Sequence, residues 1–341
     1  MVVALSTLTT ACSSSASSTS STTTTETPST PPGSASETGS AGCGAPAAPE
    51  PARSEHVEVA LTSSDLDRTY LEYVPAGDAE GPAPLVVDLH GYLSGAAGQV
   101  AMSDLGTFAE TAGVVVATPQ GNGAHSHWNA VPHDELPDDV QFVADVIDDV
   151  SSRRCIDTAR VYVQGFSNGA FLTSLVACEL ADRVAAVAAV AGLLFPDGCE
   201  PARPIPILTI HGTDDQFVTF DGSPNVALSS LPWDEQSTLA FTDLPFAPVR
   251  DSLGEWAAVE GCASPPDEQP VTGSVARVRY GGCLDDSTLE LYVVDGGGHA
   301  WPGSEFSAAS AAIVGPTTTE IDATELIWEF FADHPMPGAA S

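Results

Sequence analysis

A serine flanked by glycines is the first feature of this chain that could carry chemistry. Gly165-Phe166-Ser167-Asn168-Gly169 follows the apolar run 160–164 and precedes a stretch of small and apolar residues. A G-x-S-x-G sequence between a strand and a helix lifts the serine hydroxyl above a sheet edge on a sharp turn. The glycines relieve crowding where strand and helix nearly collide, and the helix N-terminus favours developing negative charge. Such a serine becomes a nucleophile when a base takes its proton and an acid orients that base. Candidates follow in the order Ser, Asp, His. The run 205–210 leads into His211-Gly212-Thr213-Asp214-Asp215, and the run 289–294 leads into Asp295-Gly296-Gly297-Gly298-His299. His299 is the expected base, and its glycine run lets the imidazole reach across to Ser167. Asp214 and Asp215 compete as the orienting acid. A tetrahedral oxyanion needs two donors, and the expected ones are the backbone N–H groups of Asn168 and Tyr92. Tyr92 lies in His90-Gly91-Tyr92, directly after the run 84–89. His90 and His211 each precede a glycine at a strand end and read as structural.

These residues reach one place only if the elements around them form a parallel sheet. Strand-like runs are expected at 56–61, 69–74, 84–89, 113–118, 160–164, 185–190, 205–210 and 288–294. Leu85-Val86-Val87 and Val114-Val115-Val116 are continuously apolar, as in strands buried on both faces. Helical patterns alternate with them. The stretch 138–151 puts Phe142, Val143, Val146, Ile147 and Val150 on one face. The stretch 169–180 is small and apolar, and Asp322-Ala323-Thr324-Glu325 starts a last helix carrying Leu326, Ile327, Phe330 and Phe331. The alternation implies an α/β fold, a doubly wound and mostly parallel sheet with helices on both faces. Ligands of such sheets bind beyond the carboxyl ends of the strands, where Ser167, Asp215 and His299 all fall.

Composition narrows the partners. The chain has 341 residues, with 46 acidic side chains against 10 cations, all arginine, for a formal charge of −36. It offers no basic patch to nucleic acid or to an anionic leaflet. No apolar run is long enough to span a membrane as a helix. The first residues, 1–12, read as a signal-like segment ending at Cys12, the position a bacterial lipoprotein signal would lipidate. Residues 13–54 read as a disordered linker rich in Ser, Thr and Pro. The domain expected to carry the chemistry is 55–341. An exported protein follows, secreted or lipid-anchored at the outer face of the membrane, touching the membrane only through Cys12 and otherwise a monomer. The six other cysteines form an even set for such a compartment. Cys262 and Cys283 are the expected pair, while Cys43, Cys155, Cys178 and Cys199 allow three connectivities. His125, His127 and His133 beside Asp134 are metal-ligand types, but they read as a polar surface loop. Neither a metal nor a cofactor is expected, since Gly296–Gly298 opens no helix that could cradle a dinucleotide. Trp128 and Trp301, on loops at the same edge as Ser167, are expected to stack on an aromatic or sugar group of a ligand.

From about Arg68 to Pro335 the chain resembles the secreted polyhydroxybutyrate-depolymerase-like and feruloyl-esterase-like α/β-hydrolases of carbohydrate esterase family 1. The resemblance runs through Leu89-His90-Gly91-Tyr92, Thr118-Pro119-Gln120-Gly121, Trp128-Asn129, Asp138-Asp139-Val140, Arg160-Val161-Tyr162 and Gly165–Gly169. It continues through His211–Asp215, Gly296–Gly303 and Ile327-Trp328-Glu329-Phe330-Phe331. It implies an α/β-hydrolase fold and a serine esterase acting outside the cell on ester-decorated polysaccharide or polyester. It implies that Asp215, the aspartate of H-G-x-x-D, is the orienting acid, and that disulfides lie near Cys155, Cys178 and Cys199. A cell-envelope acyltransferase would use the same triad, with a sugar hydroxyl in place of water. The stretch Phe220–Val249 departs from the family in its length and carries Trp233, Phe241 and Phe246 among acidic residues. It is expected to form a lid or a substrate wall. A neutral-to-alkaline pH optimum follows from the need for a neutral imidazole base.

Overall fold

Continuously apolar strands require cover on both faces, and the centre of the sheet receives it. The computed structural model describes residues 38–44, 54–76, 81–131, 133–224, 226–242, 244, 246–263 and 265–337. Cys12 and the segment 1–12 lie outside them, as do residues 13–37 and 45–53 of the expected linker. Among the described residues, ten strands form one sheet. They are β1 His56–Ser63, β2 Leu66–Tyr73, β3 Ala83–Leu89, β4 Val115–Pro119, β5 Ile156–Phe166, β6 Ala186–Val190, β7 Ile207–Gly212, β8 Asp267–Pro270, β9 Val275–Tyr280 and β10 Leu289–Val294. The helices are α1 Ala96–Ser103, α2 Leu105–Ala112, α3 Asp139–Arg153, α4 Asn168–Glu179, α5 Val226–Ser229, α6 Glu235–Thr242, α7 Val249–Val259, α8 Glu305–Ala309, α9 Ala311–Val314 and α10 Ala323–Asp333.

The strand order is β1-β2-β4-β3-β5-β6-β7-β10-β9-β8. From β4 to β10 every pairing is parallel, and antiparallel strands border both edges. This is the α/β-hydrolase architecture. Alternate residues of the central strands enter two different cores, as a period of two requires. Leu85, Val87, Val161, Val163, Ile207 and Leu291 pack with α3, α4 and α7 through Phe142, Val146, Phe171, Leu172 and Trp256. Val86, Tyr162, Ala188, Leu208 and Tyr292 face the other way, onto Leu105, Ala109, Ile327 and Phe331 of α2 and α10. Asp138 caps α3 by accepting the Gln141 N–H, and Asp322 caps α10 by accepting the Thr324 and Glu325 N–H groups. Each supplies a partner for the otherwise unpaired first-turn donors.

Three disulfides join Cys43 to Cys155, Cys178 to Cys199 and Cys262 to Cys283. The first resolves the open connectivities and attaches part of the stretch expected to be linker. Gly39 bridges Asp157, and the Ser40 N–H donates to Ile156 O at 2.8 Å. Strands β8 and β9 lie outside the expected set. All four residues of β8 are exposed, and in β9 Arg277 and Arg279 interrupt the apolar pattern because they pair with Glu290 of β10.

Candidate active site

The turn after β5 is strained where the sequence pattern demands it. Ser167 has φ 54° and ψ −116°, a conformation that L-residues rarely adopt. Such strain persists only when its surroundings hold it. Here the Ser167 N–H donates to Val190 O of β6 at 2.9 Å, and its carbonyl accepts the Phe171 N–H of α4 at 3.0 Å. The two glycines face each other. A Cβ on Gly165 would lie 2.5 Å from the Gly169 carbonyl carbon, and one on Gly169 would lie 2.6 Å from His90 O. Only glycine lets α4 start this close to the ends of β5 and β3.

The base and acid leave neighbouring strand ends. His299 Nδ1 lies 2.7 Å from Asp215 Oδ2, with both residues buried. The Asp215 Oδ1 accepts the Phe217 and Val218 N–H groups at 2.8 and 2.9 Å. Burial alone would raise the Asp215 pKa. The charge of His299 and hydrogen bonds from His211 and His299 outweigh it and hold the carboxyl well below the usual carboxylate range. An acceptor-only carboxylate makes Nδ1 the protonated nitrogen of neutral His299, leaving a lone pair on Nε2. The glycine run binds the two loops together: the Asp214 N–H donates to Gly297 O at 2.8 Å and the Gly296 N–H to Thr213 Oγ1 at 2.8 Å. Of the two competing aspartates, Asp215 thus reaches His299. The ring of Phe166, the residue before Ser167, has its centroid 4.8 Å from that of His299. Serine and imidazole therefore stand at the same edge of the sheet.

The loop after β3 closes the third side. A Cβ on Gly91 would lie 3.3 Å from Ser167 Cβ, so this loop passes directly beside the serine. The Ser94 N–H donates to Gly91 O at 3.1 Å and the Leu93 N–H to Ser126 O at 2.9 Å. Among the described residues no acceptor takes the Tyr92 N–H. Asn168 is the first residue of α4, where backbone N–H groups lack intrahelical partners. His90 Nε2 accepts the Gly121 N–H at 2.9 Å and Nδ1 lies 2.7 Å from Gly91 O, a neutral tautomer. Burial lowers its pKa to about 4, which suits a loop strut. His211 has Nε2 2.7 Å from Val218 O and 3.4 Å from Asp215 Oδ2, and it backs the acid.

The expectation for Trp128 and Trp301 is overturned. They are 0% and 1% exposed and have no face open to a ligand. Large rings bury where their N–H finds an acceptor. Trp128 Nε1 donates to His90 O at 2.7 Å, its backbone N–H donates to Asn168 Oδ1 at 2.7 Å, and its carbonyl accepts from Asn168 Nδ2 at 3.1 Å. It is a strut between the Gly91 loop and the serine turn. Trp301 Nε1 donates to Thr324 Oγ1 at 3.1 Å and anchors α10. Aromatic surface at this edge comes instead from Trp233 and Phe241 of the 220–249 excursion, both partly exposed and both against Tyr92. Nothing in the residue spacing ties them to that loop. His125 pairs with Asp234 of the excursion at 3.5 Å, and His127 Nδ1 lies 2.7 Å from His125 O. These two rings thus serve the loop.

Residues 68–225 match the family model described as Esterase PHB depolymerase. Feruloyl esterase B of Piromyces equi is 32% identical over 64% of this chain, a match that takes in 40% of that protein. The protein of Nocardia uniformis subsp. tsuyamanensis named "Putative esterase NocK" is 31% identical over 72% of this chain and 73% of its own length. Among solved structures, the acetyl xylan esterase from Aspergillus awamori superposes with a TM-score of 0.53 at 17% identity, over 75% of this chain and 98% of that one.

Proposed function

The chain belongs to the esterase PHB depolymerase family, and on that premise we propose that it is an exported serine esterase working through Ser167, His299 and Asp215. The observation that carries the proposal is the 2.7 Å contact between Asp215 and His299, at the same sheet edge as a serine with φ 54°. In this reading His299 Nε2 takes the hydroxyl proton as Ser167 Oγ attacks the ester carbonyl. The Asn168 and Tyr92 N–H groups receive the oxyanion, in a place where fixed donors need no reorganisation. The imidazolium then gives its proton to the leaving alcohol. Water, deprotonated by the same imidazole, cleaves the acyl-serine and releases the acid. Asp215 stays ionised throughout, because its backbone donors and its histidines favour the anion.

The substrates we propose are esters on polysaccharide side chains or polyesters; the name of the Piromyces relative supports a feruloyl ester and the description of the family supports a polyester. Export is supported by three disulfides in a chain of this size, and we take residues 55–341, with the tethered stretch 38–44, as the catalytic domain. Lipidation at Cys12 would hold it at the membrane surface. The test is a panel of p-nitrophenyl acetate, methyl ferulate, acetylated xylan and hydroxybutyrate oligomers, assayed with the wild type and Ser167→Ala. Hydrolysis lost in the variant supports the proposal. Equal activity in both proteins overturns it, and acyl transfer to added sugar in preference to water would replace hydrolysis with transferase chemistry.

A further inference from the structure

The excursion between β7 and α7 does more than border the site. Its residues 231–241 grip the side chain of Tyr92. The Tyr92 ring stacks on Trp233 with centroids 4.7 Å apart and an interplanar angle of 14°, and tilts against Phe241 at 5.2 Å. Trp233 and Phe241 meet edge-on at 5.0 Å. The Tyr92 hydroxyl donates to Pro232 O at 2.5 Å and lies 3.1 Å from Ser237 Oγ. Ser237, fully buried, is itself fixed: its hydroxyl donates to Asp234 Oδ1 at 2.7 Å, and its N–H donates to the same oxygen at 2.8 Å. Asp234 also accepts the His125 N–H at 3.4 Å, which ties the segment to the loop that carries Trp128.

The two peptides that flank Tyr92 are held at their far atoms: Gly91 O accepts the Ser94 N–H at 3.1 Å and lies 2.7 Å from His90 Nδ1, and the Leu93 N–H donates to Ser126 O at 2.9 Å. The grip on the ring adds an anchor from the side chain, between Gly91, which abuts Ser167, and Leu93, which is held at φ 61°. An oxyanion donor acts only when its N–H points at the position the oxygen will occupy, and small misplacements are costly. We infer that residues 231–241 are a clasp that aims the Tyr92 N–H, with Trp233 and Ser237 as positioning residues for the oxyanion hole. The inference rests on Tyr92 being an oxyanion donor. It makes the excursion part of the catalytic machinery for any acyl group, in contrast to a wall that sorts acyl groups by size.

The test uses the full chain with Trp233→Ala, Trp233→Phe and Ser237→Ala, and p-nitrophenyl acetate as the ester, whose acetyl group is too small to need a wall. kcat and KM are measured separately, with inhibition by a short alkyl boronic acid, whose tetrahedral adduct on Ser167 places an oxygen in the hole. The clasp predicts a kcat about 10- to 100-fold lower for Trp233→Ala, with KM within about twofold. Boronate affinity should fall by the same factor as kcat/KM. Trp233→Phe should recover most of the loss, and Ser237→Ala should lose kcat severalfold. The hydrogen-bond variant keeps the test decisive if Trp233→Ala does not fold. An unchanged kcat for the acetyl ester, with KM rising only for methyl ferulate, overturns the clasp in favour of a wall. Boronate affinity unchanged while kcat falls also overturns it. Full activity of the clasp variants beside an inactive Ser167→Ala rejects the clasp alone, whereas an active Ser167→Ala rejects the serine mechanism beneath it.

Discussion

Replacing Asp215 by asparagine probes the base through one atom. The two carboxylate oxygens have different neighbours: Oδ1 accepts two backbone N–H groups, from Phe217 and Val218, and Oδ2 faces His299 Nδ1 at 2.7 Å. An asparagine amide cannot put its NH2 against two backbone donors, so its carbonyl oxygen must take the Oδ1 position. The NH2 then points at His299 Nδ1 and donates to it. Nδ1 becomes an acceptor, and the neutral ring carries its proton on Nε2, facing Ser167. The imidazole can no longer receive the serine proton, and the imidazolium has lost its counter-charge. In a serine protease triad the same aspartate-to-asparagine swap lowers kcat by about 10⁴, or about 5 kcal/mol of transition-state stabilisation. We expect a loss of that order for Asp215→Asn with p-nitrophenyl acetate under saturating conditions. Asp214→Asn, whose residue meets the neighbouring loop through its backbone N–H, should stay within about threefold of wild type. More than a tenth of wild-type kcat in Asp215→Asn, or an equal loss in Asp214→Asn, would refute the assignment of the acid.

Three further outcomes follow from packing and burial. Glu260 is 1% exposed, accepts from Ile205 N and Ser287 Oγ, and has its pKa pushed up to about 7 by burial. A folded pKa above the unfolded one means that the folded state binds the extra proton. Its stability contribution is whole below pH 4.5 and is lost as pH rises through about 7. Glu260→Gln keeps both hydrogen bonds, so urea unfolding should find it more stable than wild type by up to about 3 kcal/mol at pH 8 and equal at pH 4.5; the same difference at both pH values would contradict this. Gly169→Ala drives a Cβ to 2.6 Å from His90 O, and should cost about 1–3 kcal/mol in thermal unfolding and most of the esterase activity; wild-type behaviour would show that the turn is slack. Removing the 43–155 bridge through paired Cys→Ser changes frees a closure spanning 112 residues, and should destabilise by about 2–4 kcal/mol; an unchanged melting temperature would mean that residues 38–44 are not a working clamp.

What the sequence reveals of this molecule, and what it hides, follows physical cause. Ser167, Asp215 and His299 can be placed at one sheet edge because short apolar runs mark the strands and the residues just beyond them mark the carboxyl ends. The choice between Asp214 and Asp215 depends on family resemblance, since adjacent residues differ only in which way a side chain leaves the loop. The burial of Trp128 and Trp301 is illegible for the same reason. Loop position tells where a ring starts, but the acceptors His90 O and Thr324 Oγ1 decide where it goes. The Cys43–Cys155 link joins residues 112 apart and has no local signature. The strand β9 is hidden because its arginines serve Glu290 across the ladder, and α1 and α2 because both meet at Asp104, a non-glycine residue at φ 46°. The grip of Trp233 on Tyr92 joins residues far apart along the chain, which only the folded structure brings together.

The central claim is that Ser167 carries the acyl group. It is tested most directly by mixing the enzyme with excess p-nitrophenyl acetate, quenching in acid within milliseconds and locating the acetyl group by peptide mass spectrometry. An acetyl adduct on Ser167, formed with a stoichiometric burst of p-nitrophenol and absent from Ser167→Ala, is the predicted result. A burst with the adduct on another residue, or steady hydrolysis by Ser167→Ala at the wild-type rate, would contradict it.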